Sequence, residues 1–217
     1  SSSAVLKKVG ALPTSDKVKL PFYMGSMDKI KPNSRELKRF IMDKTQYVLM
    51  DKFDGISLLL VIDNGMYKCY TRGNGYEGSD ITHLLSDSIL FKNSNIKEHT
   101  VVVRGELIIE KKYKDNFSSN LRNIVSGYSN RKDIDKSIVP CLSFVAYEVV
   151  DNENLNIAQQ LEYLEKYFNI SDYKICDTLN NDILQQYCID RKKNSKYDID
   201  GVICSKNIIY TRIQCGN

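Results

Sequence analysis

Apolar runs of sheet length, broken by polar punctuation, set the pattern of this chain. Tyr47-Val48-Leu49-Met50 and Ile56-Ser57-Leu58-Leu59-Leu60-Val61-Ile62 flank the segment Asp51-Lys52-Phe53-Asp54-Gly55, which predicts strands over 47–54 and on through Ile62. Asn64-Gly65 then reads as a tight hairpin turn, because both central positions need positive φ, and the chain returns through 66–72. Residues 101–109, 139–150 and 198–204 are further apolar strands, and 208–211 reads as a last one.

Helical spacing is confined to a few stretches. Asn33 followed by Glu36 resembles a capping box, with Leu37, Phe40 and Ile41 on one face, predicting a helix over 34–43. A helix is expected from Asp80 to Leu85, and another opened by Ser118 and Ser119 and closed by Gly127. Ile157, Leu161, Leu164 and Phe168 form an amphipathic stripe, and a final helix covers about 182–191. Leu20 to Asp28 reads as a loop lining something, and residues 1–20 as irregular. The sum is an α+β chain with mostly antiparallel sheet and helices packed outside.

Composition narrows the class without choosing the chemistry. The 217 residues, 42 % hydrophobic and 27 % charged, suffice for one domain with a sizeable core. No apolar run is long enough to span a bilayer, and the N-terminus lacks the apolar core of a signal peptide. A net charge of +4 permits nucleic-acid binding without demanding it. The six cysteines form no CxxC pair and do not cluster with the two histidines. They read as core thiols in a reducing compartment.

Candidate chemistry centres on Lys52, set between apolar runs with Asp54 on the same strand face and Gly55 beyond it. Lysine, aspartate and glycine at these offsets recur by chance in roughly one chain of this size in twenty, so other residues must decide. Gly73-Asn74-Gly75-Tyr76-Glu77-Gly78 matches G-x-G-x-x-G. A dinucleotide-binding turn needs a parallel strand before it and an acid at a strand end about twenty residues on, whereas here a hairpin strand precedes it. The segment is better read as a loop presenting Arg72 to a phosphate. Arg104 and Glu106 share one face of a buried strand, each the other's obvious partner. Taken singly, a structural carboxylate at Glu106, a plain turn at Asp200-Gly201 and a core Tyr147 are equally good readings.

Their order along the chain changes the odds. Lys52-Phe53-Asp54-Gly55, Thr71-Arg72-Gly73-Asn74-Gly75-Tyr76-Glu77-Gly78, Arg104-Gly105-Glu106, Asn120-Leu121-Arg122-Asn123, Tyr147 and Asp198-Ile199-Asp200-Gly201-Val202-Ile203 together resemble the covalent nucleotidyltransferases. They are most similar to the adenylation domain of NAD-dependent DNA ligases, including forms carried by some large DNA viruses. The resemblance runs from about residue 9 to the end. It implies a single adenylation domain over 1–217, truncated at both ends, with antiparallel sheets flanked by helices around a central nucleotide cleft.

The resemblance also implies roles. Lys52 would attack the α-phosphorus of NAD and keep AMP as a lysyl-AMP intermediate. AMP would pass to the 5′-phosphate of a nick in double-stranded DNA, which is then sealed, as DNA replication and repair require. A free lysine is almost wholly protonated at pH 7, so burial and neighbouring cations would have to favour its neutral form. Ser26, Met27, Asp54, Gly55, Arg72, Glu106, Tyr147 and Lys206 would bind the nucleotide, with Tyr147 on adenine and Glu106 on the ribose. Asp200 and Glu106 would hold Mg²⁺ (or Mn²⁺), and Arg122 and Arg131 would bind DNA. Further partners would be the missing ligase domains, in cis or in trans. The place of action would be an intracellular, reducing one (cytoplasm, nucleus or viral replication site), with no membrane.

Three positions depart from the family pattern. Met50 stands where an adenine-reading glutamate is usual. The second arginine falls at Asn130 unless one residue is inserted, which brings Arg131 into place. The late lysine falls at Ser205, with Lys206 one position beyond. Two alternatives stay open: an ATP-dependent polynucleotide ligase or capping-type nucleotidyltransferase, and a DNA-binding or scaffold domain that has lost catalysis.

Overall fold

β-Branched and leucine-rich runs that are buried on both faces build the centre of the fold. In the computed structural model, which describes residues 17–210, the first elements are β1 (Lys17–Lys19), α1 (Arg35–Phe40), β2 (Tyr47–Phe53), β3 (Ile56–Asp63), β4 (Met66–Thr71), β5 (Glu77–Ser79) and α2 (Asp87–Leu90). There follow β6 (Thr100–Ile109), α3 (Leu121–Ser129), β7 (Leu142–Val150), α4 (Ile157–Glu165), β8 (Asn169–Ile170), β9 (Tyr173–Cys176), α5 (Asn181–Asn194) and β10 (Ile199–Lys206). Five strands form one sheet in the order β4-β3-β6-β7-β8, and three form a second, β10-β2-β9. All pairings are antiparallel except β7 with β8.

The continuous apolar run of β3 now has its reason. Leu58, Leu60 and Ile62 pack into the main core with Val103, Leu107, Phe144 and Phe168. Leu59, between them, faces a second cluster with Leu20, Phe22, Met24 and Val150. The three-stranded sheet covers its own core, in which Tyr47, Leu49, Val202 and Cys204 meet Leu37 of α1 and Leu184 of α5. Cys69, Cys141, Cys176 and Cys204 are buried and unpaired, as befits core thiols, and Cys188 is partly buried. Among the described residues no helix is long and apolar enough to cross a membrane.

The hairpin turns where its dipeptide predicts, with Asn64 at φ 47° and Gly65 at φ 94°. Other boundaries move for physical reasons. The cap of α1 is Ser34, whose hydroxyl accepts from the Leu37 N–H, while Asn33 takes positive φ one step earlier. Asn120 rather than a serine caps α3, and Gly127 lies inside that helix. The segment expected as a helix from Asp80 is a short 3₁₀ turn, Thr82–Leu84, followed by α2. Residues 208–210 are not strand. Of residues 1–20, expected to be irregular, 1–16 lie outside the described residues, and Lys17–Lys19 instead form β1 against β5.

β2 and β3 are consecutive yet belong to different sheets, and Asp54-Gly55 is the crossing point. A Cβ on Gly55 would stand 2.4 Å from the Leu107 carbonyl oxygen and 3.0 Å from Glu106 Cγ, so the crossing requires a bare backbone. Gly55→Ala is therefore expected to destabilise the fold by about 1–3 kcal/mol through overpacking, read as a lowered denaturant midpoint.

Candidate functional site

Where the two sheets face each other they enclose a cleft of about 530 Å³. One wall is the three-stranded sheet, which contributes Lys52, Asp200 and Ile203. The other is the five-stranded sheet, with Ser57, Arg104, Glu106 and Tyr147. Ser26 and Met27 of the loop before α1 close one side, and Arg72 and Arg122 enter from β4 and α3. Residues distant in sequence thus meet as the motif order implied.

Alternation along β2 sends Lys52 into the cleft and Asp51 to the other side of the sheet. The Lys52 ammonium lies 3.8 Å from an oxygen of Asp200, and its side chain remains 28 % exposed, so burial is only partial. Asp200 is half exposed and also accepts from Lys29 at 3.1 Å. The two cations hold its carboxyl below the usual carboxylate range, with the Lys29 hydrogen bond as the largest cause. Asp54 is not among the residues that line the cleft. Its carboxylate pairs with Arg122 at 3.2 Å, and the same guanidinium donates to the Gly55 carbonyl at 3.3 Å.

The opposite wall is a buried polar network. Glu106 accepts from the Gly55 N–H at 3.2 Å and from the Ser57 hydroxyl at 3.4 Å. Arg104 donates to the Tyr147 hydroxyl at 3.0 Å, to the Gly25 carbonyl at 2.7 Å and to Ser57 at 3.4 Å. The direct Arg104–Glu106 pairing expected from their shared face is replaced by this relay through Ser57. Arg72 donates to the Met24 carbonyl and the Ser26 hydroxyl, both at 2.9 Å, which fixes its fork against the cleft wall. Glycines 73, 75 and 78 serve a tight connection from β4 to β5, a hairpin context with no parallel strand.

Three of the sequence-derived positions, Asp54, Lys206 and Arg131, do not line the cleft. Lys206 lies on the face of β10 opposite Ile203, bound to Asp43 and over the Phe40 ring. Arg131 follows the end of α3 and pairs with Asp135 at 2.9 Å, while Asn130 lines the cleft instead. Met50 packs with Tyr147 and Ile203 in an apolar corner beside the lysine. Ser57 and Lys29 went unnoticed in the sequence. Ser57 stands out only once its register partner is seen to be Glu106.

Comparisons with known proteins bear on the family and the fold. Residues 25–216 match the family model of the NAD-dependent DNA ligase adenylation domain. The chain is similar to a DNA ligase of Acanthamoeba polyphaga mimivirus, 37 % identical over 227 residues that cover 100 % of this chain and 35 % of the relative. A putative DNA ligase of Invertebrate iridescent virus 6 is 35 % identical over 227 residues, covering 96 % of this chain and 36 % of that protein. The chain therefore spans about a third of the length of these relatives. Among solved structures, an archaeal ATP-dependent RNA ligase (form 1) has the same fold at a TM-score of 0.55 and 15 % identity, over 88 % of this chain and 46 % of that one.

Burial pushes the Glu106 carboxyl up from 4.5 to about 7, against the Gly55 N–H and the Arg104 charge, which both act to lower it. Between those two values the folded chain holds a proton that the unfolded chain has released. Stability then falls as pH rises through that window, by about 3 kcal/mol for a shift of that size. Denaturant titrations in metal-free buffer from pH 4.5 to 7.5 are expected to show the decline, and Glu106→Gln to flatten it.

Proposed function

The chain belongs to the NAD-dependent DNA ligase adenylation domain family, and we propose that Lys52 is the nucleophile with which it takes AMP from NAD. The observation that carries the reading is a lysine ammonium facing a cleft into which three guanidiniums also converge, those of Arg72, Arg104 and Arg122. Phosphoryl transfer asks chiefly for positioning and charge neutralisation, and a cleft of this size suits a nucleotide.

In the proposed step Lys52 gives up a proton to solvent, its Nζ lone pair forms a bond to the α-phosphorus, and the nitrogen then sheds a second proton to solvent to leave a phosphoramidate. The bond from that phosphorus to the bridging oxygen breaks, and nicotinamide mononucleotide leaves with the electron pair. Ser26 and Met27 line one side of the nucleotide, Tyr147 meets the base and Glu106 the ribose. Arg72, already oriented by Met24 and Ser26, neutralises phosphate. Asp200 and Glu106 both line the cleft, and oxygen donors of this kind suit Mg²⁺ or Mn²⁺ once Glu106 gives up its proton. These two residues would hold such an ion, which supplies charge neutralisation at the phosphate.

The later steps belong to the same proposal. A 5′-phosphate oxygen of nicked duplex DNA takes AMP from Lys52, and the 3′-hydroxyl then displaces AMP and seals the strand. Arg122, exposed at the cleft mouth beside Gly55, is placed to hold phosphate near the nick. The other parts of a ligase, in cis or in trans, are its partners in sealing.

The test is intact-mass measurement after incubation of the full-length protein with Mg²⁺ and either NAD or ATP. A gain of one AMP from NAD, absent in Lys52→Ala, is the expected result. A gain from ATP alone would move the assignment to an ATP-dependent nucleotidyltransferase. DNA binding with no adduct from either nucleotide would identify a domain that has lost catalysis.

A further inference from the structure

The residue before the lysine carries a second, separate piece of machinery. Asp51 is almost wholly buried, and its two oxygens accept from Arg191 Nε at 2.8 Å and Nη2 at 2.9 Å. Ser195 adds a third hydrogen bond to the same carboxylate at 3.1 Å. Arg191 also reaches Asp172 at 2.9 Å. Near neighbours on α5 repeat the theme, since the Tyr187 hydroxyl donates to the Leu49 carbonyl at 3.3 Å. Tyr187, Arg191 and the C-cap Ser195 recur every four residues, so beside the apolar Leu184 the side of α5 towards β2 carries a line of polar groups.

Stability gives a poor account of such a line of polar groups. A buried ion pair often contributes no more than apolar residues of the same volume, because desolvation offsets its attraction. The place of this pair along the strand is more telling. On one side β2 is laddered to β10 from Tyr47 to Phe53. On the other, β9 pairs only with Tyr47 to Met50 and stops one residue short of Asp51. Beyond that point the Asp51 N–H is met by the Ser171 hydroxyl at 3.1 Å, and its carboxylate by Arg191 and Ser195. Side chains therefore stand in for a strand where the lysine needs holding.

We propose that the Asp51–Arg191 pair is a positioning device that fixes the direction in which Lys52 enters the cleft, a role that rests on Lys52 being the nucleophile. Adjacent strand residues point to opposite faces, so a fork anchored to Asp51 on one face sets the rotation of the strand and the departure of Lys52 on the other. The Asp51 carboxylate is spent on Arg191 and Ser195. The pair acts through the backbone of residues 51 and 52.

The test uses the full-length protein, following the rate of AMP–lysine formation at saturating NAD, the NAD concentration for half-saturation, and the melting temperature. Arg191→Met is expected to slow adduct formation about 10- to 100-fold, the loss that a misplacement of about 1 Å can cause, with half-saturation changed less than about threefold. It should also lower the melting temperature, because the buried Asp51 loses its ion-pair partner. The double variant Asp51→Leu with Arg191→Leu should regain melting temperature but not rate, since apolar packing restores volume without direction. A double variant that regains both, or a folded single variant with wild-type rate, would overturn the proposal while leaving Lys52 in place. A wild-type protein that forms no adduct on Lys52 would overturn the proposal and the reading beneath it together.

Discussion

The close approach of Gly55 to β6 is the constraint from which the cleft follows. Its backbone lies against the Leu107 carbonyl, with no room for a side chain, and its N–H is spent on Glu106. Any larger residue there would have to displace the Leu107 carbonyl or the Glu106 side chain. Because the crossing is tight, Lys52 on one sheet and Glu106 on the other face a common space only a few residues from the point where the sheets meet. The glycine beside the lysine is thus required by packing before any ligand is considered.

The same crossing explains why the far wall is polar and yet stable. Arg104 and Glu106 are taken out of water, which costs free energy unless every donor and acceptor finds a partner. Ser57 supplies the missing connections, bonding in turn to Glu106, Arg104 and Tyr147, and among the described residues no buried side-chain polar atom is left without a partner. Burial still dominates at Glu106 and favours its protonated form. A wall of this kind is rigid before a ligand arrives, so a bound nucleotide meets groups whose geometry is already set.

Much of this was legible in the sequence, and the failures share a cause. Runs with a single local explanation were read correctly: the Asn64-Gly65 turn, the β3 run and the stripe of α4 each depend on neighbours in the chain. The motif residues Lys52, Arg72, Arg104, Glu106, Tyr147 and Asp200 converge on one cleft, although nothing local says that they should. Ser57, Lys29 and Arg191 were missed because their significance lies in pairing. Ser57 matters through a partner 49 residues away, and Arg191 through one 140 away. The short strand β9 was also missed, and with it the fact that β2 loses its neighbour just before the lysine.

The end of β10 shows how one irregularity decides two assignments. In the pairing with β2, Ile199 stands opposite Phe53 and Gly201 opposite Lys52, so Asp200 is an extra residue at a bulge. Bulges re-aim side chains, and this one turns Asp200 towards Lys52, from the face where strict alternation would hide it with Val202 and Cys204. For Lys206 to turn towards the cleft, an irregularity would have to fall between Asp200 and the strand end. The bulge falls before that interval. From Gly201 onward the register is unbroken, with Ile203 opposite Met50 and Lys206 opposite Tyr47, so Lys206 shares the face of Tyr47 and is held by Asp43. Ser205 keeps the cleft-side face of the strand. The bulge therefore gives the lysine a carboxylate and leaves the late lysine outside, so that Arg72, Arg104 and Arg122 are the cations lining the cleft with Lys52.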